Sequence, residues 1–132
     1  MVVSEPAKPK PNSGVITWLD EQIGPDLAIS VLTIGEIARG VARMDESKRK
    51  RAMGKWLADE LPAQFAGRVI PIDDDVAYAW GELTAEGDRS GRPLPVTDGL
   101  LLATAKVHEL TLVTRNTADF DGRGVPILNP YR

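Results

Sequence analysis

Residues 96–114 read Val-Thr-Asp-Gly-Leu-Leu-Leu-Ala-Thr-Ala-Lys-Val-His-Glu-Leu-Thr-Leu-Val-Thr. Across 97–108 the apolar residues Leu100, Leu101, Leu102, Ala103 and Ala105 leave little polar face, which predicts a helix buried nearly all round. Residues 110–114 then form a short apolar run, the pattern of a buried strand. A buried helix passing directly into a buried strand is the repeating unit of a parallel α/β sheet. An acid, Asp98, stands at the mouth of that helix.

The same alternation extends in both directions. Residues 27–32, with β-branched members, predict a strand. A helix follows from about Thr33, with Ile34, Ile37, Val41 and Ala42 on one side. Met53, Trp56 and Leu57 recur at helical spacing within 46–61. Residues 68–72 predict a strand, and 73–85 a helix carrying Val76, Ala79, Trp80 and Leu83. Two Gly and two Pro make 87–95 a loop. Beyond the opening stretch, 116–124 is a turn region and 125–128 a last strand. At the N-terminus, Pro6, Pro9 and Pro11 impose extended or turn-like chain. Asn12 or Ser13 can cap a short helix through Val15, Ile16, Trp18 and Leu19, closed by Gly24-Pro25. The expectation is an α/β protein: a three-layer α/β/α sandwich on a short parallel sheet, one domain over residues 1–132.

Composition narrows the function classes. The 132 residues are 42% hydrophobic and 27% charged, with no Cys. Disulfides and thiolate metal sites are therefore excluded, which agrees with a reducing cytosol. No apolar stretch approaches the roughly 20 residues that span a bilayer, so no membrane role is expected. Residues 1–12 contain no apolar core of a signal peptide. Formal net charge is -3, unlike a protein that coats nucleic acid by bulk electrostatics. Any nucleic-acid contact must use a local patch. Arg43, Lys48, Arg49, Lys50, Arg51 and Lys55 form one, which is either a guiding surface or an ordinary solvated helix face.

Three acids lie just beyond apolar runs: Glu36, Asp98 and Asp119. In a parallel sheet such positions converge at the carboxyl ends of the strands, where ligands bind. Carboxylates gathered there repel one another unless a cation such as Mg²⁺ or Mn²⁺ holds them. Each acid also has a structural reading. Thr33 and Glu36 have capping-box spacing, Asp98 in a first turn suits the helix dipole, and Asp119 lies among turn-forming residues. His108, the one histidine, suits a helix C-terminus. Trp18, Trp56 and Trp80 fall at apolar helical positions and read as core or interface.

The segments Ser30…Thr33…Glu36…Gly40, Thr97-Asp98-Gly99 followed by Ala103-Thr104-Ala105, and Thr114-Arg115-Asn116…Asp119-Phe120 resemble the PIN-domain ribonucleases. More closely they resemble the VapC toxins of bacterial toxin–antitoxin pairs, including the FitB-like branch. The closing Val125-Pro126-Ile127-Leu128-Asn129-Pro130-Tyr131 is similar to that branch's last strand. The resemblance implies a cytoplasmic, metal-dependent endoribonuclease that cuts structured RNA such as tRNA or rRNA. It implies Glu36, Asp98 and Asp119 as catalytic ligands of one or two Mg²⁺ or Mn²⁺ ions, supported by Thr114, Asn116 and Ser30. Arg115, with Arg43, Lys48, Arg49, Lys50 and Arg51, becomes a candidate RNA contact. A homodimer is implied, held inactive by a VapB-like antitoxin that also supplies the binding to operator DNA.

One departure stands out. Family members open with a strand ending in Leu-Asp-Thr-Asn, and here Met1 stands where that Asn would be. The first acid and most of the first strand then have no counterpart. Either the start is truncated or misassigned, or the chain is a degenerate PIN module acting through antitoxin binding without cutting.

Overall fold

The computed structural model describes residues 27–114 and 116–129. Contacts divide them into two compact units, 27–70 and 71–129. The N-terminal helix expected near residues 12–19, the first strand expected to be cut short and Arg115 lie outside the described residues.

In the first unit, β1 (Ile29–Ser30) pairs in parallel with β2 (Val69–Ile70), Ile29 opposite Val69 and Ser30 opposite Ile70. Ile29 is completely buried. Helix α1 (Val31–Ala42) follows β1 with no loop between them. Ser30 makes this possible: in extended conformation, its hydroxyl accepts from the Leu32 N–H at 3.1 Å and caps the helix, a contact worth about 1 kcal/mol. Thr33, Ile37 and Val41, four residues apart, form the buried stripe. The expected strand over 27–32 is thus cut short by a cap. The capping-box reading of Thr33 and Glu36 is also corrected. Thr33 lies inside the helix, three residues past the cap, so Glu36 belongs to the second turn.

Ser47 caps α2 (Lys48–Lys55) by accepting from the Lys50 N–H at 3.1 Å. Instead of one regular helix over 46–61, the run continues through a π-helical segment, Trp56–Glu60, into α3 (Leu61–Gln64). Pro62 explains the widening: it has no N–H to give, and its ring crowds the carbonyl four residues earlier. The Leu61 N–H reaches back five residues, to Trp56 O. Leu61 and Phe65 are buried. The Arg68 guanidinium lies 5.6 Å over the Phe65 ring and donates to Leu27 O at 2.6 Å and to Gln64 O. It thereby ties the helical run to the start of the strand ladder.

In the second unit, Asp73 caps α4 (Asp74–Arg89) by accepting from the Val76 N–H at 3.0 Å, with Asp74 and Asp75 in the first turn, where negative charge favours a helix N-terminus. The helix runs past the expected end at residue 85, leaving 90–95 as the loop into α5 (Val96–Val107). The two helices pack on each other, joining Val76, Ala79 and Leu83 to Leu102, Ala103 and Ala105 in one core. Burying a Leu or Ile side chain of this kind contributes roughly 1.5–3 kcal/mol.

Strand β3 (Leu112–Val113) pairs in parallel with β4 (Ile127–Leu128). Between them the expected turn region contains a single helical turn, α6 (Thr117–Phe120), whose Phe120 enters the core with Val125. The α/β class with short parallel strands is as the alternation predicts.

Candidate functional site

Two carboxylates meet in the 71–129 unit. Asp98 is presented by the first turn of α5, a helix fixed by the core residues Leu102 and Ala103. Partial burial pushes its carboxyl above the ordinary value, and the negative charge of Asp119 pushes it further in the same direction. Both effects disfavour the charged form.

Asp119 sits on α6. The Asn116 side-chain amide donates to Asp119 Oδ2 at 2.8 Å. The Asn116 N–H in turn donates to Thr114 Oγ1 at 3.1 Å. Thr114 is buried directly after β3, and its own N–H donates to Leu128 O at 2.9 Å. A chain of hydrogen bonds therefore runs from the β3–β4 ladder to the Asp119 carboxylate.

Two arginines that sequence reasoning misses complete the surroundings. Arg92 donates to Asp121 O at 2.9 Å and to Ala118 O at 3.0 Å. Arg123 donates to Asp119 O at 2.7 Å and to Arg92 O at 3.0 Å. Burial and then the Arg92 charge hold the Arg123 guanidinium below its ordinary value, with Asp119 opposing them. Each arginine follows a glycine with positive φ, Gly91 at 76° and Gly122 at 74°. Such glycines mark turns, and that is the one signal the sequence carries for them.

The other expected residues are spread over several elements. Ser30 is buried as the cap of α1, a structural task. Glu36 is exposed on α1, in the 27–70 unit. Arg43 closes α1. Lys48, Arg49, Lys50 and Arg51 lie on α2, where Arg51 pairs with Glu46 at 3.0 Å. Trp80 packs against the core and His108 ends α5, both as the residue types suggest.

Asp98 and Asp119, with the Asn116 amide beside them, are hard oxygen donors. Mg²⁺ is commonly held by one or two carboxylates, with water and phosphate oxygens completing its shell, so the pair fits such an ion. Among the described residues no group of three or more His, Cys, Asp or Glu is gathered to hold a metal. An open concavity of about 850 Å³ lies along α4, walled by Tyr78, Glu82, Glu86, Arg89 and Lys106. Neither acid lines it, and its walls carry both signs of charge.

The family model of the PIN domain matches residues 2–123. The chain belongs to the PIN-domain family. This PIN chain is 36% identical over 130 residues to the toxin FitB of Neisseria gonorrhoeae, covering 98% of this chain and 94% of FitB. It is 35% identical over 130 residues to the VapC ribonuclease Y4jK of Sinorhizobium fredii, covering 98% and 93%. Its fold matches that in the structure of FitAB bound to an IR36 DNA fragment, with a TM-score of 0.88 and 34% identity, covering 98% of this chain and 90% of that one. Its α/β architecture is thus the PIN fold, and its relatives are FitB- and VapC-type toxins. No helix among the described residues is long and apolar enough to cross a membrane.

Proposed function

We propose that this PIN-domain chain is the endoribonuclease toxin of a toxin–antitoxin pair, cutting structured RNA with Mg²⁺ or Mn²⁺. The observation that carries the reading is the pair Asp98 and Asp119, juxtaposed closely enough for one charge to act on the other. Two carboxylates kept together against their repulsion are arranged for a cation. Asp98 would hold such a cation from the first turn of α5, and Asn116 orients Asp119 through the bond to Oδ2. Glu36 is included as a third ligand on its sequence context alone. When bound, a divalent cation acidifies a water and offsets the charge that builds on a phosphate.

The partner proposed is a VapB-like antitoxin, because FitB is known in a complex, FitAB, on DNA. Operator binding then belongs to the antitoxin, and the toxin acts in the cytoplasm as a homodimer. The basic residues Arg43, Lys48, Arg49, Lys50 and Arg51, with Arg115, are the proposed RNA contacts. A second reading is a PIN module that binds its antitoxin without cutting.

Cleavage of bulk tRNA by the purified chain, with and without Mn²⁺, separates the two. Metal-dependent cleavage that Asp98→Asn abolishes while the fold persists supports the nuclease. Cleavage that neither metal removal nor Asp98→Asn alters would overturn the metal site. A chain that takes up Mn²⁺ and antitoxin but cuts no RNA fits the second reading.

A further inference from the structure

Arg92 and Arg123 grip each other's loops. The Arg92 main chain is fixed against the end of α4: its N–H donates to Gly87 O at 2.8 Å. The approach is so close that a Cβ on Gly87 would stand 2.6 Å from Arg92 O. From that anchor the guanidinium spans two carbonyls, Ala118 O and Asp121 O, one on each side of Asp119. Arg123 reaches back the other way, binding Asp119 O and Arg92 O with one fork. Three charge-assisted hydrogen bonds thus join the loop that leads into Asp98's helix to the loop that carries Asp119, and a fourth, from Arg123 to Asp119 O, braces the second loop on itself.

We propose that Arg92 and Arg123 are positioning residues that hold Asp98 and Asp119 at the separation a divalent cation requires. The inference rests on the nuclease reading above and adds the means by which its two carboxylates stay assembled before the cation arrives. All four bonds end on main-chain oxygens, so none of them occupies a carboxylate oxygen. The geometry suits arginine alone. A planar fork reaches two carbonyls at once, whereas a lysine ammonium is a point charge on a flexible stem. Groups that orient ligands in this way typically change metal affinity by roughly 10–100-fold when removed.

The test is Mn²⁺ affinity by titration calorimetry on the purified chain, below each variant's melting temperature. The set is wild type, Asp98→Asn, Arg92→Lys, Arg92→Gln, Arg123→Lys and Arg123→Gln. The expected result is binding by wild type, none by Asp98→Asn, and a loss of roughly 10–100-fold in the arginine variants, with Lys giving no rescue. Wild type that takes no Mn²⁺, or Asp98→Asn that binds as well as wild type, overturns the metal reading and this inference with it. Metal binding that needs Asp98 but is unaltered in all four arginine variants overturns this inference alone.

Should the variants fail to fold, hydrogen exchange on the wild type decides. The Asp121 amide, bonded to Thr117 O at 2.9 Å, is expected to be protected like the strand β3. Exchange at the rate of an open loop would overturn the clasp.

Discussion

Gly99 and Trp80 touch so closely that a Cβ on the glycine would stand 3.0 Å from both Cδ1 and Nε1 of the indole. Thr84 closes the same gap, its Cγ2 also at 3.0 Å, and it is held in place by a 2.7 Å hydrogen bond from its hydroxyl to Trp80 O. This is where α4 and α5 press together, one residue from Asp98. Two effects compete in Gly99→Ala. Helix propensity favours alanine by about 1 kcal/mol, while crowding a filled core costs about 1–3 kcal/mol. A stiff ring and a tethered Thr make crowding win. The expected net loss is about 1 kcal/mol, read from the urea midpoint; a gain in stability would show that Trp80 swings aside freely.

Gly87→Ala should cost more. Its Cβ would meet Arg92 O at 2.6 Å and Arg123 Nη1 at 3.1 Å, and a main-chain oxygen cannot move away as a side chain can. The substitution forces the 90–95 loop off the end of α4. We expect a loss of about 2–3 kcal/mol in chemical denaturation, larger than that of Gly99→Ala. Equal losses would contradict the difference drawn between the two contacts.

The raised carboxyl of Asp98 fixes the sign of a pH effect. The folded chain holds the Asp98 proton more tightly than the unfolded chain does, because burial and then Asp119 disfavour its charge. The stabilisation from this group is fully present below the unfolded value, near pH ~4, and is lost as pH rises through the higher folded value. Asp98→Asn removes that loss. It should melt above wild type at neutral pH, and the difference should vanish below pH ~4. A variant that melts lower at pH 7 would contradict the repulsion.

Ser30→Ala tests the junction of β1 and α1. It removes the acceptor for the Leu32 N–H beneath a buried position. The expected loss is about 1 kcal/mol, with Ser30→Gly costing only a few tenths on the cap itself. Denaturation midpoints of the two variants measure it; an unchanged midpoint in Ser30→Ala would remove the cap from the account.

How much of this is legible in the sequence depends on where each contact's partner lies. The helices announce themselves through local spacing, Thr33, Ile37 and Val41 in one and Val76, Ala79 and Leu83 in another. Helix ends are less readable. Ile29 and Val31 continue a strand pattern through Ser30, and only the hydroxyl's capture of the Leu32 amide shows that the helix begins there. The π segment is hidden because Pro62 exerts its effect on residues before it. Asp98 and Asp119 are legible because each follows its own element boundary. Arg92 and Arg123 are not, since their partners are carbonyls that every residue possesses and that only tertiary structure brings within reach.

That last fact has a consequence for change by substitution. A clasp that grips main-chain oxygens is blind to the side chains it spans. Ala118 and Asp121 supply carbonyls to Arg92 while both are exposed. Their side chains can therefore be rewritten, by drift or by an engineer, without loosening the loop. The loop's shape is under constraint while its spelling is free, so what stands beside Asp119 can be altered with the acid itself left in place.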